Sequence, residues 1–216
     1  RESNPDKLVF TAGDLLVPAY DVNGTVWTAQ TIQSSGRKMF AKDSVKQENF
    51  HVVGAAGNGL DALIDAPVLV ISEGYASADS LSNVLRFPTV SAFDSGNLVL
   101  VAKALHEKFP DKPVVIAGDD DKHVEATQGY NPGRSKANEA AKAVGGKVLL
   151  PIFFPGEQAS DPKGFSDFND LATKSVLGKE GIKRQVCAIV DSVLEKHLAR
   201  SQQQEPVQQQ VRVAKR

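Results

Sequence analysis

Two short runs constrain this chain more than anything else in it. Pro67-Val68-Leu69-Val70-Ile71-Ser72 and Pro113-Val114-Val115-Ile116-Ala117-Gly118 are continuously apolar and rich in β-branched residues. Such runs are too short for core helices and read as strands buried on both faces. Pro88-Thr89-Val90-Ser91-Ala92-Phe93 and Lys147-Val148-Leu149-Leu150 predict two further strands. Helical segments fall between them. They run from Tyr75 to Arg86, from Asn97 to Phe109 with Leu98, Val101, Ala102 and Leu105 at helical spacing, and from Ser135 to Val144 behind Pro132-Gly133. Strand and helix alternating over short connections predict an α/β fold, a parallel sheet covered by helices. The stretch from Asp121 to Arg134 is long for such a connection, and long loops at strand ends tend to be functional.

The flanks differ from this core. Leu15 to Tyr20 and Val26 to Ile32 read as strands joined through Asn23-Gly24, a tight-turn signal. With Arg37-Lys38-Met39-Phe40 they predict a small antiparallel meander ending near Phe50 to Gly54. A helix is expected from about Lys179 to Arg200, with Ile182, Val186, Ile189, Val190, Val193 and Leu194 on one face. The glutamine-rich end reads as a linker or tail. The expected division is a β-rich subdomain over 1–60, a core over 61–177, a helix over 178–200 and a basic tail over 201–216. A chain opening on Arg1 reads as part of a larger parent protein with other domains.

Composition excludes several classes. A single cysteine leaves no disulfide framework and no cysteine-rich zinc ribbon within this chain. No run of about 18 apolar residues predicts a membrane span, and the first residues have no signal-peptide core. The net charge of −1 argues against a surface that is basic throughout. That total hides an asymmetry. From Gly178 onward eight Lys/Arg stand against four Asp/Glu, and the preceding 177 residues carry 17 against 22.

Where the carboxylates fall carries the chemistry. Glu73 directly follows the first buried strand, and Asp119-Asp120-Asp121 directly follow the third. Ligands of open α/β sheets bind outside the carboxyl ends of the strands, so both clusters are expected at one edge. Carboxylates gathered there repel one another, and a divalent cation removes that penalty. Oxygen donors without thiolates suit Mg²⁺ or Mn²⁺. Strand-like alternation puts Asp119 and Asp121 on one side as ligands and leaves Asp120 as a solvated or supporting residue. Taken alone, the three aspartates could equally be a polar turn.

The wording from Val68 through Ser72-Glu73-Gly74-Tyr75-Ala76-Ser77-Ala78-Asp79-Ser80-Leu81, followed by Val114-Val115-Ile116-Ala117-Gly118-Asp119-Asp120-Asp121, resembles the Toprim domain. That Rossmann-like α/β domain is shared by bacterial primases, topoisomerases, certain nucleases and recombination proteins. The resemblance spans roughly Pro67 to Leu150 and is closest to primases of plasmids, phages and conjugative elements. Asp94-Ser95-Gly96-Asn97-Leu98, Lys136-Ala137-Asn138-Glu139 and Asp167-Phe168-Asn169-Asp170-Leu171 fit the same branch, as does the β-rich piece before the core.

The resemblance implies metal-dependent nucleotidyl transfer: RNA primer synthesis from nucleoside triphosphates on single-stranded DNA, in replication or conjugative transfer, in a bacterial cytoplasm. Asp119 and Asp121 would hold Mg²⁺ or Mn²⁺, and Glu73 would share a metal or act as general acid/base. Asp167 and Asp170 would complete the acidic edge, with a helix N-cap as the other reading of Asp167. Arg134 and Lys136 are candidate phosphate contacts or else solvated charges. The pattern departs from replicative primases in lacking a zinc module. It also lacks a clear basic motif upstream, where Arg37 and Lys38 are the nearest basic residues. Two further readings use the same residues: a metal-dependent nuclease, or a non-catalytic single-strand-binding and docking module of a relaxase-type protein. Trp27 and the phenylalanines are expected to pack rather than stack on bases, Cys187 to lie in the core, and His123 to be solvated. Gly54 to Gly59 lacks the Gly-Lys-Ser/Thr of a P-loop.

Overall fold

The computed structural model describes residues 12–213. Strands β1 (Leu15–Tyr20), β2 (Val26–Ile32) and β3 (Lys38–Phe40) form an antiparallel sheet in the order β1-β2-β3. The β1–β2 turn is held by Asp21. Its Oδ1 accepts from the backbone N–H groups of Asn23 and Thr25 at 2.8 and 2.9 Å, and its Oδ2 from Trp27 Nε1 at 3.0 Å. Trp27 is therefore 54% exposed on the outer face of this sheet, contrary to the expectation that it packs. At the next position inward, Thr28 is buried, which is what strand alternation requires.

The second sheet has the order β4-β6-β5-β7-β8, with β4 (His51–Val53), β5 (Leu69–Ser72), β6 (Thr89–Ser91), β7 (Val114–Ala117) and β8 (Lys147–Leu149). The last four are parallel, and β4 runs antiparallel along β6. The meander expected to end at residue 54 thus gives its last strand to the core sheet. Tyr20 and Phe50 join the two sheets by exchanging backbone hydrogen bonds of 2.8 and 2.9 Å.

Both faces of the core sheet are covered, which explains the continuous apolar runs. Leu69, Ile71 and Ile116 point to one face. They pack there with Leu63 of α1 (Leu60–Asp65), Leu98, Val101 and Leu105 of α3 (Ser95–Lys108), and Ala137 and Ala140 of α5 (Pro132–Ala143). Val68, Val70, Val115 and Ala117 point to the other. They meet Leu81 of α2 (Tyr75–Leu85), Phe168 and Leu171 of α7 (Phe168–Thr173), and Ile182 and Val186 of α8 (Gly178–Val213). Cys187 is half-buried against this second core.

Two elements differ from expectation. The loop after β7 contains a short helix, α4 (Lys122–Gln128), which buries none of its residues and so leaves no periodic signal in the sequence. The glutamine-rich stretch is helical, because α8 continues to Val213 instead of stopping near Arg200. Gln and Glu favour helix, although Pro206 removes one donor from the ladder. Among the described residues no helix is long and apolar enough to cross a membrane.

Candidate active site at the carboxyl edge of the sheet

Parallel β5 and β7 deliver their C-terminal residues to one edge, so Glu73 and Asp119 come together there. Burial comes first in lifting both pKa values. Glu73 is raised to about 7, with the Asp121 charge next and the Asp94 charge also adding, while the Ser95 N–H and Lys38 oppose the rise. Asp119 is raised well above the usual carboxylate range by burial and then by the charges of Glu73, Asp167 and Asp121, again opposed by Lys38. Glu73 Oε2 and Asp119 Oδ1 are buried and have no hydrogen-bond partner. Buried polar atoms are nearly always paired, so two orphans at one edge call for an explanation.

Local sequence fixes the rest of this edge. Asn131 caps α5: its Oδ1 accepts from the N–H groups of Arg134 and Asp121 at 3.0 and 3.1 Å. The α5 N-terminus then closes on the β7 end, where Asp121 Oδ2 accepts from Gly133 N at 2.9 Å. The approach is too close for any side chain at residue 133, since a Cβ there would lie 2.6 Å from the Asp119 carbonyl oxygen. Asp167 caps α7, accepting from Asp170 N at 2.7 Å. Its pKa is raised by burial above all, with the Asp170 charge adding and Lys38 opposing. Asp167 is therefore the helix cap of one reading and an electrostatic neighbour of Asp119 in the other.

The structure bears on five of the expected roles. Of the two readings of Asp120, solvated or supporting, the structure has the supporting one: it is 6% exposed. Its Oδ1 accepts from Arg134 Nη2 at 2.6 Å and Asn131 Nδ2 at 2.8 Å, and its Oδ2 from Gln158 Nε2 at 3.1 Å. Arg134 spends its guanidinium on Asp120 and on Glu125 Oε1, so it is an internal tie rather than a free phosphate contact. Lys136 pairs with Glu139 at 2.7 Å on the exposed side of α5. Asp170, expected as a metal ligand, has both oxygens engaged: Oδ1 with Lys174 at 2.7 Å, Oδ2 with Ser166 N at 3.1 Å. His123 sits half-buried in α4 with a buried, unpartnered Nδ1 instead of being solvated.

The residue that sequence reasoning undervalued is Lys38. It lies on β3, and its Nζ would be 3.5 Å from a Cβ placed on Gly74. From there its charge acts on Glu73, Asp119 and Asp167 alike. A third small core aims it: Val17, Ala19 and Phe93, with Ile32, Phe40 and Tyr75 against them, seats the first sheet over the edge of the second. Phe93 stacks edge-on to Phe40 at 5.1 Å and takes φ of +73°, a costly conformation for a side chain of its size. Lys46 of the same region pairs with Asp94, the N-cap of α3.

The donor set fits a hard cation. Every candidate atom is a carboxylate oxygen, and two of them are buried without partners. Among the described residues no group of three His, Cys, Asp or Glu side chains is placed to cage a metal ion. Mg²⁺ needs no such cage, since it keeps several waters and uses one or two carboxylates. Beside the edge, a cleft of about 640 Å³ runs past Asp120, Arg134, Asn138, Ile152 and Gln158.

No protein-family profile matches the chain. Among solved structures, the chain has the fold of primase fragments. It superposes on the primase fragment of the bacteriophage T7 primase-helicase with a TM-score of 0.51 at 15% identity, covering 81% of this chain and 62% of that one. It superposes on the zinc-binding and RNA polymerase domains of the Aquifex aeolicus primase with a TM-score of 0.51 at 18% identity, covering 84% and 43%. At the level of sequence, two Escherichia coli proteins, each named DNA primase TraC, are 47% and 45% identical to it. Each alignment covers 82% of this chain, but the chain spans only 22% and 16% of the length of those relatives.

Proposed function

We propose that this chain is a Toprim-type primase domain, which joins nucleoside triphosphates into RNA primers on single-stranded DNA during replication or conjugative transfer of a mobile element. It would act with other domains of a longer protein in a bacterial cytoplasm. The observation that carries the proposal is the pair of buried carboxylates, Glu73 and Asp119, whose unpartnered oxygens share one edge with Lys38. The two relatives named as DNA primases support the same activity.

Asp119 and Asp121 would hold Mg²⁺ or Mn²⁺, with Glu73 and Asp167 beside them. When bound, such a cation supplies charge neutralisation at the triphosphate and at the oxygens that exchange bonds in an in-line displacement. Lys38 faces the same space and attracts the phosphates while they are being positioned. Glu73, poised near neutrality, takes the proton of the attacking 3′-hydroxyl at Oε2. Asp120, tied to Arg134, Asn131 and Gln158, fixes the β7 end against α5 so that Asp119 and Asp121 keep their places. The 640 Å³ cleft is of a size to receive a nucleotide.

The test is template-directed incorporation of labelled nucleoside triphosphates on single-stranded DNA by the parent protein. Asp119→Asn with Asp121→Asn is expected to lower incorporation more than ~100-fold while single-strand binding persists. Incorporation that survives this double change, or DNA cleavage without nucleotides that depends on Glu73, would refute the proposal.

A further inference from the structure

A second concave site lies at the other end of the core sheet. It is a cavity of about 230 Å³ against Pro113 and Val114 at the start of β7 and Gly146 and Lys147 at the start of β8. A four-residue strand spans ~13 Å, so this cavity and the carboxylate edge are on opposite ends of the domain. Its walls are strongly cationic. Lys112, Lys147, Lys196 and Arg200 line it with His106 and His197, against the single carboxylate of Asp111. This stands out in a chain whose net charge is −1.

Most of that charge is uncommitted. Lys112 is used within the fold, since its Nζ donates to the carbonyl oxygens of Ile64 and Ala66 at the end of α1. Lys147, Lys196 and Arg200 have no ion pair among the described residues. Nδ1 of His106 is buried without a partner. Cations held around a concavity with one carboxylate among them repel one another, and a bound anion relieves that repulsion. Lys196 and Arg200 are one helical turn apart on α8 and line the cavity together with Lys147 of β8, so two elements supply cations to one concavity.

Size narrows the ligand. At about 230 Å³ the cavity is below the ~300–1,000 Å³ of pockets that bury a drug-sized ligand. Its walls also carry no Phe, Tyr or Trp on which a base could stack. We infer that this cavity is a phosphate-binding site for one or two phosphate groups whose remainder stays outside. Two sources supply that chemistry: the backbone of a nucleic-acid strand, or a free polyphosphate. The inference does not depend on the proposed function, because none of its residues lies at the carboxylate edge.

The test measures binding of two probes in EDTA, where the metal-free carboxylate edge repels anions. The probes are inorganic tripolyphosphate, followed by calorimetry, and a fluorescein-labelled oligothymidylate, followed by anisotropy. The proteins are the wild type, Lys147→Ala with Lys196→Ala, and the paired arginine variant at both positions. Both lysines are exposed, so the fold should persist. The alanine pair is expected to weaken binding about tenfold at low salt and to flatten its salt dependence, with arginine restoring it. Loss confined to the oligonucleotide identifies a strand backbone, and loss confined to tripolyphosphate identifies a free polyphosphate. Either outcome supports the site. Equal affinities in wild type and alanine pair, or no wild-type binding of either probe below millimolar concentration, would overturn it.

Discussion

Glu73→Gln should make the metal-free protein more stable while disabling its site. Glutamine keeps the shape of the protonated carboxyl and removes its charge. In the folded chain the Glu73 pKa is raised from 4.5 to about 7, chiefly by burial and then by the Asp121 charge. A tenfold change in proton affinity is 1.36 kcal/mol, so ionising Glu73 costs the folded state about 3 kcal/mol relative to the unfolded chain. The sign follows from proton uptake. Between pH 4.5 and about 7 the folded state binds more protons at this residue than the unfolded state, so wild-type stability falls as pH rises. The favourable contribution of protonated Glu73 is fully present below pH 4.5 and lost as pH rises through about 7. The variant lacks this loss, and it also frees Asp119 of the charge that, after burial, raises its pKa most. Thermal unfolding in EDTA is the assay. At pH 8 the variant should melt on the order of 6–12 °C above wild type, and at pH 4 the two should nearly coincide. Mg²⁺ should then raise wild type more than the variant, since only binding to the folded state stabilises. A variant less stable at pH 8, or equally stabilised at both pH values, would refute the account of Glu73 as a buried, frustrated carboxylate.

Other perturbations test the frame around the site. Gly133→Ala sets a Cβ 2.6 Å from the Asp119 carbonyl oxygen and 2.9 Å from Asp121 Oδ2. It should cost about 1–3 kcal/mol in urea unfolding and lower activity with it; an unperturbed protein would mean that α5 does not seat on β7 this closely. Asn97 is buried, and its Nδ2 donates to the carbonyls of Asn49 and Ala92 at 2.9 Å each. Asn97→Ala should therefore cost about 2–4 kcal/mol, whereas exposed Asn83→Ala should stay within ~0.5 kcal/mol. Equal effects of the two would sink the assignment. Lys38→Ala should raise the nucleotide KM about tenfold with partial rescue by arginine, as expected for a single charge contact to phosphate. An unchanged KM would remove Lys38 from the site.

How much of this was legible in the sequence depends on how local each cause is. Val68 to Ser72 and Val114 to Ala117 announced themselves because burial on both faces demands apolar side chains at every position. Glu73 and Asp119 followed, because a parallel sheet puts the ends of β5 and β7 at one edge. His51 to Val53 gave no such sign of its sheet: the same three residues suit the end of a meander or the edge of the core, and only its pairing with β6 decides. Lys38 was weaker still. One lysine on a three-residue strand has no periodicity, and its position is set by Val17, Ala19 and Phe93, remote in sequence from it. Its proximity to a glycine turn and to Met39-Phe40 was the only local hint. Asp120 stayed open between solvated and supporting because strand alternation only sends it away from the carboxylate edge, and away from that edge here means toward Arg134 and Gln158, not toward water.

That geometry explains why the small first sheet belongs with the core. The carboxylate edge carries like charges whose burial is unfavourable, and a cation that acts on all three of Glu73, Asp119 and Asp167, Lys38, comes from β3. A side chain from the core sheet would have to be built into the same crowded edge, where Gly118 and Gly133 leave no space for one. A lysine from a separate sheet enters from above and leaves the oxygens of Glu73 and Asp119 free to bind a ligand. The strained backbone of Phe93 is part of that arrangement, because the ring it presents to Phe40 joins the two sheets. Loosening this junction should therefore disturb the site before it disturbs the core. Leu69, Ile71 and Ile116 belong to a hydrophobic cluster separate from the junction, while the aim of Lys38 depends on it.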